Sequence, residues 1–314
     1  MSARGPGSAD TAPRVVRLTV ADIARMHADG QRLATVTAYD YPTARLADAA
    51  GIPLVLVGDS LAQVVLGYDT TVRITLDEML HHTRAVVRGT SRALVVGDMP
   101  FLSYSDEQEA LAAAGRFLRD GGAQAVKVEG GVRTARVVET LVRNGVPVMG
   151  HIGLTPQAIH AIGRFRVQGK TREQARALLG DALAIQEAGA FAIVLELLPA
   201  QLAQAITDRL RIPTIGIGSG PGCDGQIQVL TDLLGLSLDR PPRHVRPYAT
   251  LAETARDALT AYAADVEAGT FPTEAETVRM DDGVLAEVLG LSPMDRAADE
   301  AAMPTDGIPL DRDL

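Results

Sequence analysis

Val55-Leu56-Val57-Gly58-Asp59-Ser60 is an apolar, largely β-branched run that stops abruptly at a glycine, an aspartate and a serine. An uninterrupted apolar run of this length reads as a strand buried on both faces. The pattern recurs in Leu94-Val95-Val96-Gly97-Asp98, Ala125-Val126-Lys127-Val128-Glu129, Pro147-Val148-Met149-Gly150-His151 and Ala192-Ile193-Val194-Leu195-Glu196, each followed by a helical stretch. If the strands are parallel, their polar endings meet at one rim.

Working outward, further strands are expected at 33–38 and 214–217, with a weaker one near 244–248. The runs quoted above place the others at 54–57, 93–96, 125–128, 147–150 and 191–195. Thr75-x-x-Glu78, Ser105-x-x-Gln108 and Thr171-x-x-Gln174 are capping-box patterns that start helices between them. Residues 19–30 read as a short helix that Thr19 caps and Gly30 ends. Strands alternating with helices imply a parallel sheet with right-handed crossovers. Such units spread over about 230 residues match a (β/α)8 TIM barrel, typically ~250 residues. A doubly wound sheet would instead gather its functional residues at one switch point. The barrel is therefore the expected α/β fold, over residues 14–272, behind a disordered leader at 1–13. Residues 251–269 read as a closing helix. Val284, Leu285, Val288, Leu289 and Leu291 form an apolar stripe within an acidic extension, 273–314, read as partly flexible.

Composition narrows the function classes. With 46% hydrophobic residues and a net charge of −9, the chain can build a large core and lacks a basic face for nucleic acid. One cysteine, Cys223, excludes an intrachain disulfide framework and fits a reducing compartment. The leader lacks the apolar core of a signal peptide, and no apolar run approaches the ~20 residues a membrane helix needs. A cytoplasmic protein with no nucleic-acid or membrane partner is expected.

The strand ends carry the chemistry, as they do in barrels of this kind. Asp59, Asp98 and Glu129 end neighbouring strands and offer the hard oxygens that Mg²⁺ prefers. The competing reading is that each aspartate merely caps a turn. Lys127 and Glu129, two apart on one strand, point to the same side. Nearby carboxylates keep a lysine charged, which disfavours a Schiff base and suits a cation that holds a substrate carboxylate or carbonyl. A structural Lys127–Glu129 ion pair is the alternative. Glu196, at the end of an apolar run, is a candidate general base. His151 is either a donor to a substrate oxygen or a satisfied turn histidine. Adjacent His81 and His82 read as structural, and Cys223 has no neighbouring base. The glycine-rich stretch 216–222 fits close backbone approach to a substrate better than a nucleotide fingerprint.

These segments also carry a resemblance. Thr37-Ala38-Tyr39-Asp40-Tyr41, Val57-Gly58-Asp59-Ser60-Leu61, Val126-Lys127-Val128-Glu129-Gly130-Gly131, Gly150-His151-Ile152-Gly153-Leu154-Thr155-Pro156-Gln157, Val167-Gln168-Gly169 and Ile215-Gly216-Ile217-Gly218 occur in this order. Together they closely resemble the ketopantoate hydroxymethyltransferase family over roughly residues 17–272. The resemblance implies a barrel of the phosphoenolpyruvate mutase/isocitrate lyase type. It also implies hydroxymethyl transfer from 5,10-methylenetetrahydrofolate to 3-methyl-2-oxobutanoate, small-molecule substrates both. By motif, Mg²⁺ ligands fall on Asp59 and Asp98 with Glu129 beside or bound to the metal, and substrate contacts fall on Asp59, Ser60, Asp98 and Lys127. The proton acceptor falls on Glu196. A homodecamer, a pentamer of dimers, is the implied assembly. Phe271-Pro272 leads to Glu274-Ala275-Glu276-Thr277, without the histidine usual in that family. A related C–C or C–P lyase and a non-catalytic scaffold are the other readings. The polar strand ends weigh against the scaffold.

Overall fold

The structure is a computed structural model that describes residues 16–290. Among them, strands β1 (Leu33–Thr37), β2 (Leu54–Val57), β3 (Leu94–Asp98), β4 (Ala125–Glu129), β5 (Val148–Gly153), β6 (Ala192–Glu196), β7 (Thr214–Ile217) and β8 (Gly225–Gln228) close into a parallel barrel in chain order. β8 pairs back onto β1, with Leu33 opposite Gly225.

Helix α1 (Val20–Ala28) precedes β1, and α2 (Tyr41–Ala49) follows it. After β2 come α3 (Leu61–Val64) and α4 (Leu76–Gly89), and after β3 and β4 come α5 (Glu107–Arg119) and α6 (Ala135–Arg143). The chain after β5 forms α7 (Ile159–Ile162) and α8 (Arg172–Glu187), and that after β6 forms α9 (Ala200–Thr207). A single turn, α10 (Leu230–Leu233), follows β8 and is succeeded by α11 (Leu251–Glu267) and α12 (Asp282–Leu289).

The described residues fall into two compact units that divide between Glu253 and Thr254, inside α11. The second unit carries most of α11, the turn Glu274–Glu276 and α12. Asp281 caps α12 by accepting from the amides of Gly283 and Val284. The stripe residues from Val284 to Leu289 lie on α12, whereas Leu291, the leader at 1–13 and the residues after 291 lie outside the described residues. No helix among the described residues is long and apolar enough to cross a membrane.

Period-two alternation sets the barrel's two faces. Leu54, Leu56, Leu94, Val96, Ala125, Met149, Ala192, Val194, Ile215 and Ile227 pack together inside, and Ile23 of α1 joins them. Val55, Val57, Val95, Val126, Val128, Val148, Ile193 and Leu195 belong to the outer core, together with helix residues such as Phe117, Leu141 and Ile185. Continuing the inner alternation by one step puts Asp98, Lys127, Glu129, His151 and Glu196 inside the barrel, above the apolar layers.

Two strand glycines permit the helix layer to close. A Cβ on Gly97 would stand 2.4 Å from Phe117 Cδ1, and one on Gly150 would stand 2.4 Å from Ile185 Cγ2. Gly97→Ala should therefore destabilise the barrel by ~1–3 kcal/mol, the usual cost of overpacking, read as a shift in the urea midpoint at constant slope.

Helix starts follow the capping pattern at Thr19, Thr75 and Thr171, whose side chains accept from the amides of Asp22, Glu78 and Gln174. The expectation at Ser105 needs correction. Asp106 caps α5 by accepting from Glu109 N at 2.9 Å, because its carboxylate sits one residue closer to the first turn. The eighth strand is likewise not at 244–248. It is Gly225–Gln228, in which only Ile227 offers the core an apolar side chain, so no apolar run marks it.

Candidate active site

Each polar strand end is delivered by the barrel's register. Asp98 lies opposite Lys127, Glu129 opposite His151 and Gly153 opposite Glu196. All five ionisable side chains line one cavity of about 510 Å³ with Asp59, Ser60 and Thr37. Its apolar wall includes Leu56, Val194, Ile217 and Ile227. The structure thus brings together Asp59, Ser60, Asp98, Lys127, Glu129, His151 and Glu196.

Lys127 is the centre of charge. Its ammonium lies 2.9 Å from Asp98 Oδ1, 3.4 Å from Glu129 Oε1 and 3.2 Å from His151 Nδ1. The ion-pair alternative therefore holds for two carboxylates rather than one. Burial alone would lower the lysine's pKa, but Asp98, Glu129 and Asp59 more than offset it and raise it. A lysine held protonated is a hydrogen-bond donor and not a nucleophile.

The carboxylates divide into two kinds. Glu129 has both oxygens engaged: Oε1 meets Lys127 and, at 3.2 Å, His151 Nδ1, while Oε2 accepts from Gln157 N at 3.1 Å. Burial works against its charge, yet Lys127 and His151 hold its pKa well below the ordinary value. Asp59 and Asp98 are the opposite case. Burial raises both, and repulsion from Asp98 and then Glu129 pushes Asp59 well above its usual range. Asp98 Oδ2 accepts from Asp59 N at 3.0 Å, and Asp59 Oδ2 accepts from Gln157 Nε2 at 3.1 Å. Among the described residues, Asp59 Oδ1 has no hydrogen-bond partner.

His151 joins the two sides. Its Nε2 lies 3.2 Å from Glu196 Oε2, off the hydrogen-bond axis. Burial and Lys127 lower its pKa, but Glu129 and Glu196 prevail and push it to about 9. The reading of His151 as only a satisfied turn histidine is too narrow, because it bridges two carboxylates. Ser60 is oriented by Tyr39, whose hydroxyl sits 2.9 Å from Ser60 Oγ.

With every group ionised, four carboxylates face two cations, Lys127 and His151. Buried charge of that excess is stable only when paired or metal-bound. Among the described residues, no three His, Cys, Asp or Glu side chains by themselves form a cage for an ion. The donor set fits a different mode, in which one or two carboxylates hold Mg²⁺ and water or substrate oxygens complete the octahedron. Asp59, Asp98 and Glu129 all supply oxygens suited to that mode, with Asp98 held by Lys127 and the Asp59 amide and Glu129 held by Lys127, His151 and Gln157.

Gln157 was not singled out from sequence. It sits in the turn Pro156–Ala158 after β5, donates to Met99 O at 3.0 Å as well as to Asp59, and accepts from Tyr104 Oη at 2.6 Å. With its backbone amide on Glu129, one residue fixes two of the site's carboxylates. Only its place in Gly-His-Ile-Gly-Leu-Thr-Pro-Gln hinted at this. Gln157→Leu should lower kcat by roughly 10–100-fold, as loss of a ligand-orienting partner does, and raise the Mg²⁺ concentration needed for half-maximal rate.

Residues 17–274 match the family described as ketopantoate hydroxymethyltransferase. The chain is 60% identical over 275 residues to 3-methyl-2-oxobutanoate hydroxymethyltransferase of Chloroflexus aurantiacus, covering 88% of this chain and 98% of that protein. It is 55% identical over 274 residues to the protein of the same name from Gluconacetobacter diazotrophicus, covering 87% and 99%. Among solved structures, it resembles phosphonopyruvate hydrolase in complex with oxalate and Mg²⁺ at 14% identity and TM-score 0.55, covering 91% and 99%. It also resembles 2,3-dimethylmalate lyase, a phosphoenolpyruvate mutase/isocitrate lyase superfamily member, at 16% identity and TM-score 0.51, covering 91% and 100%. At those identities the likeness establishes the barrel alone.

Proposed function

The chain belongs to the ketopantoate hydroxymethyltransferase family, and from that premise we propose that it carries a hydroxymethyl group from 5,10-methylenetetrahydrofolate to 3-methyl-2-oxobutanoate. The product is 2-dehydropantoate, on the route to pantothenate. One observation carries this reading: Asp59, Asp98, Lys127, Glu129, His151 and Glu196 converge on a single cavity at the C-terminal ends of the strands.

Asp59 and Asp98 would hold Mg²⁺, which when bound polarises the 2-oxo acid's carbonyl and balances the buried carboxylates. Lys127 donates to the oxygen on which negative charge develops as C3 loses its proton. Glu196 accepts that proton. His151 keeps the Glu196 carboxylate oriented through its Nε2 side, while Glu129 and Gln157 hold Lys127 and Asp59 in place. Leu56, Val194 and Ile217 supply an apolar wall for the substrate's branched end. Both bonds from the donor's methylene carbon to the folate nitrogens break as water adds its oxygen to that carbon and a proton to each nitrogen, so that tetrahydrofolate leaves and a one-carbon aldehyde remains. The C3 nucleophile forms a C–C bond to that aldehyde carbon, and its oxygen takes up the proton held by Glu196 to become the new hydroxyl. The composition supports a cytoplasmic enzyme.

The direct test is product formation. Purified protein with both substrates and Mg²⁺ should yield 2-dehydropantoate by mass spectrometry. Its absence, with both substrates intact, would contradict the reading.

A further inference from the structure

The cavity is larger than the acid requires. About 510 Å³ is the scale of a drug-sized ligand, whereas the charged groups assigned to the 2-oxo acid lie at the ends of β2 to β6. In a closed ring of eight strands, β8 stands across from β4 and its Lys127. The wall on that side is formed by Ile227 and Val229 at the end of β8, Asp232 on α10, and Pro242 and His244 from the following segment. Thr37 Oγ1 accepts from Leu230 N at 3.0 Å and fixes the start of α10 at the rim.

Asp232 is the anomaly of this wall. It is half-buried, yet among the described residues its carboxylate takes part in no hydrogen bond and no ion pair. Burial raises its pKa, and nearby His244 opposes this. A carboxylate on the cavity wall with no protein partner is free to accept from a ligand. The same cavity is lined by the apolar side chains of Val229, Ile227, Pro242 and, from the loop before α8, Phe165. Gly218, at φ +63°, leaves room for the His244 ring, which a Cβ there would meet at 3.2 Å.

We infer that this wall is a subsite for the planar 2-amino-4-oxopteridine ring of the one-carbon donor, with Asp232 accepting from the ring's N3–H and its exocyclic amino group. Two parallel donors on one heterocycle edge match a carboxylate's two oxygens, and the apolar residues cover the ring faces. The inference rests on the folate reading above and makes Asp232 the residue that sets donor specificity.

The test is a cycle between protein and ligand. Calorimetry, with 3-methyl-2-oxobutanoate and Mg²⁺ present, compares tetrahydrofolate with its 2-desamino-2-methyl analogue. Wild-type protein should prefer tetrahydrofolate by about tenfold or more, the worth of one hydrogen bond to a charged group. In Asp232→Asn that preference should shrink to less than about threefold, and Asp232→Glu should recover part of it. Full preference retained in Asp232→Asn overturns the subsite alone. No binding of tetrahydrofolate to wild-type protein overturns the folate reading and the subsite together, while C3 proton exchange in the acid, measured without folate, still reports on the rest of the site.

Discussion

Asp59→Asn should lose turnover by on the order of 10³-fold, the scale on which a preorganised charge-stabilising group acts, and Asp98→Asn should do the same. Neither change should unfold the barrel. An asparagine at 59 keeps an oxygen for Gln157 Nε2, and its backbone N–H still donates to Asp98 Oδ2. It also removes a buried negative charge that Asp98 and Glu129 repel. In EDTA the variant should therefore melt no lower than the wild type, because the aspartate's charge is a burden until a cation is bound. Added Mg²⁺ should raise the melting temperature of the wild type and leave that of Asp59→Asn in place. A variant that melts well below the wild type would show that Asp59 holds the fold rather than the chemistry.

Glu196→Gln should reduce kcat by roughly 10²–10⁴-fold, the contribution of a positioned general base, with little change in KM for the 2-oxo acid. The carboxylate lies inside the barrel at the end of β6, and His151 Nε2 is the charged neighbour at 3.2 Å. Glutamine is nearly isosteric and retains an oxygen for that contact, so the fall reports the lost proton acceptor. A parallel rise in KM and fall in kcat would instead mark Glu196 as a substrate-binding group.

Much of this site was legible because alternation along a strand is strict. Lys127 and Glu129 must face the same way, and inner Leu94 and Val96 carry the pattern on to Asp98. Legibility ended where position depends on the fold around a residue. Lys127 reaches Asp98 on the next strand as well as Glu129 on its own, which register decides and spacing does not. The strand end announced Glu129 as an oxygen donor, but that its oxygens also meet Lys127, His151 and Gln157 depends on the neighbouring strand and the turn after it. Gln157 and Asp232 sit on a turn and a four-residue helix, neither of which has a periodicity to read. β8 escaped notice because Gln226 and Gln228 face away from the core and leave Ile227 alone to signal a strand.

The central claim is that this cavity removes the C3 proton of a branched 2-oxo acid. Incubating the protein with 3-methyl-2-oxobutanoate and Mg²⁺ in deuterated water, without folate, isolates that step. Proton NMR should show the C3 signal disappear and its methyl doublet collapse in the wild type, and both should persist in Glu196→Gln. A wild-type enzyme that leaves the C3 proton in place would contradict the account.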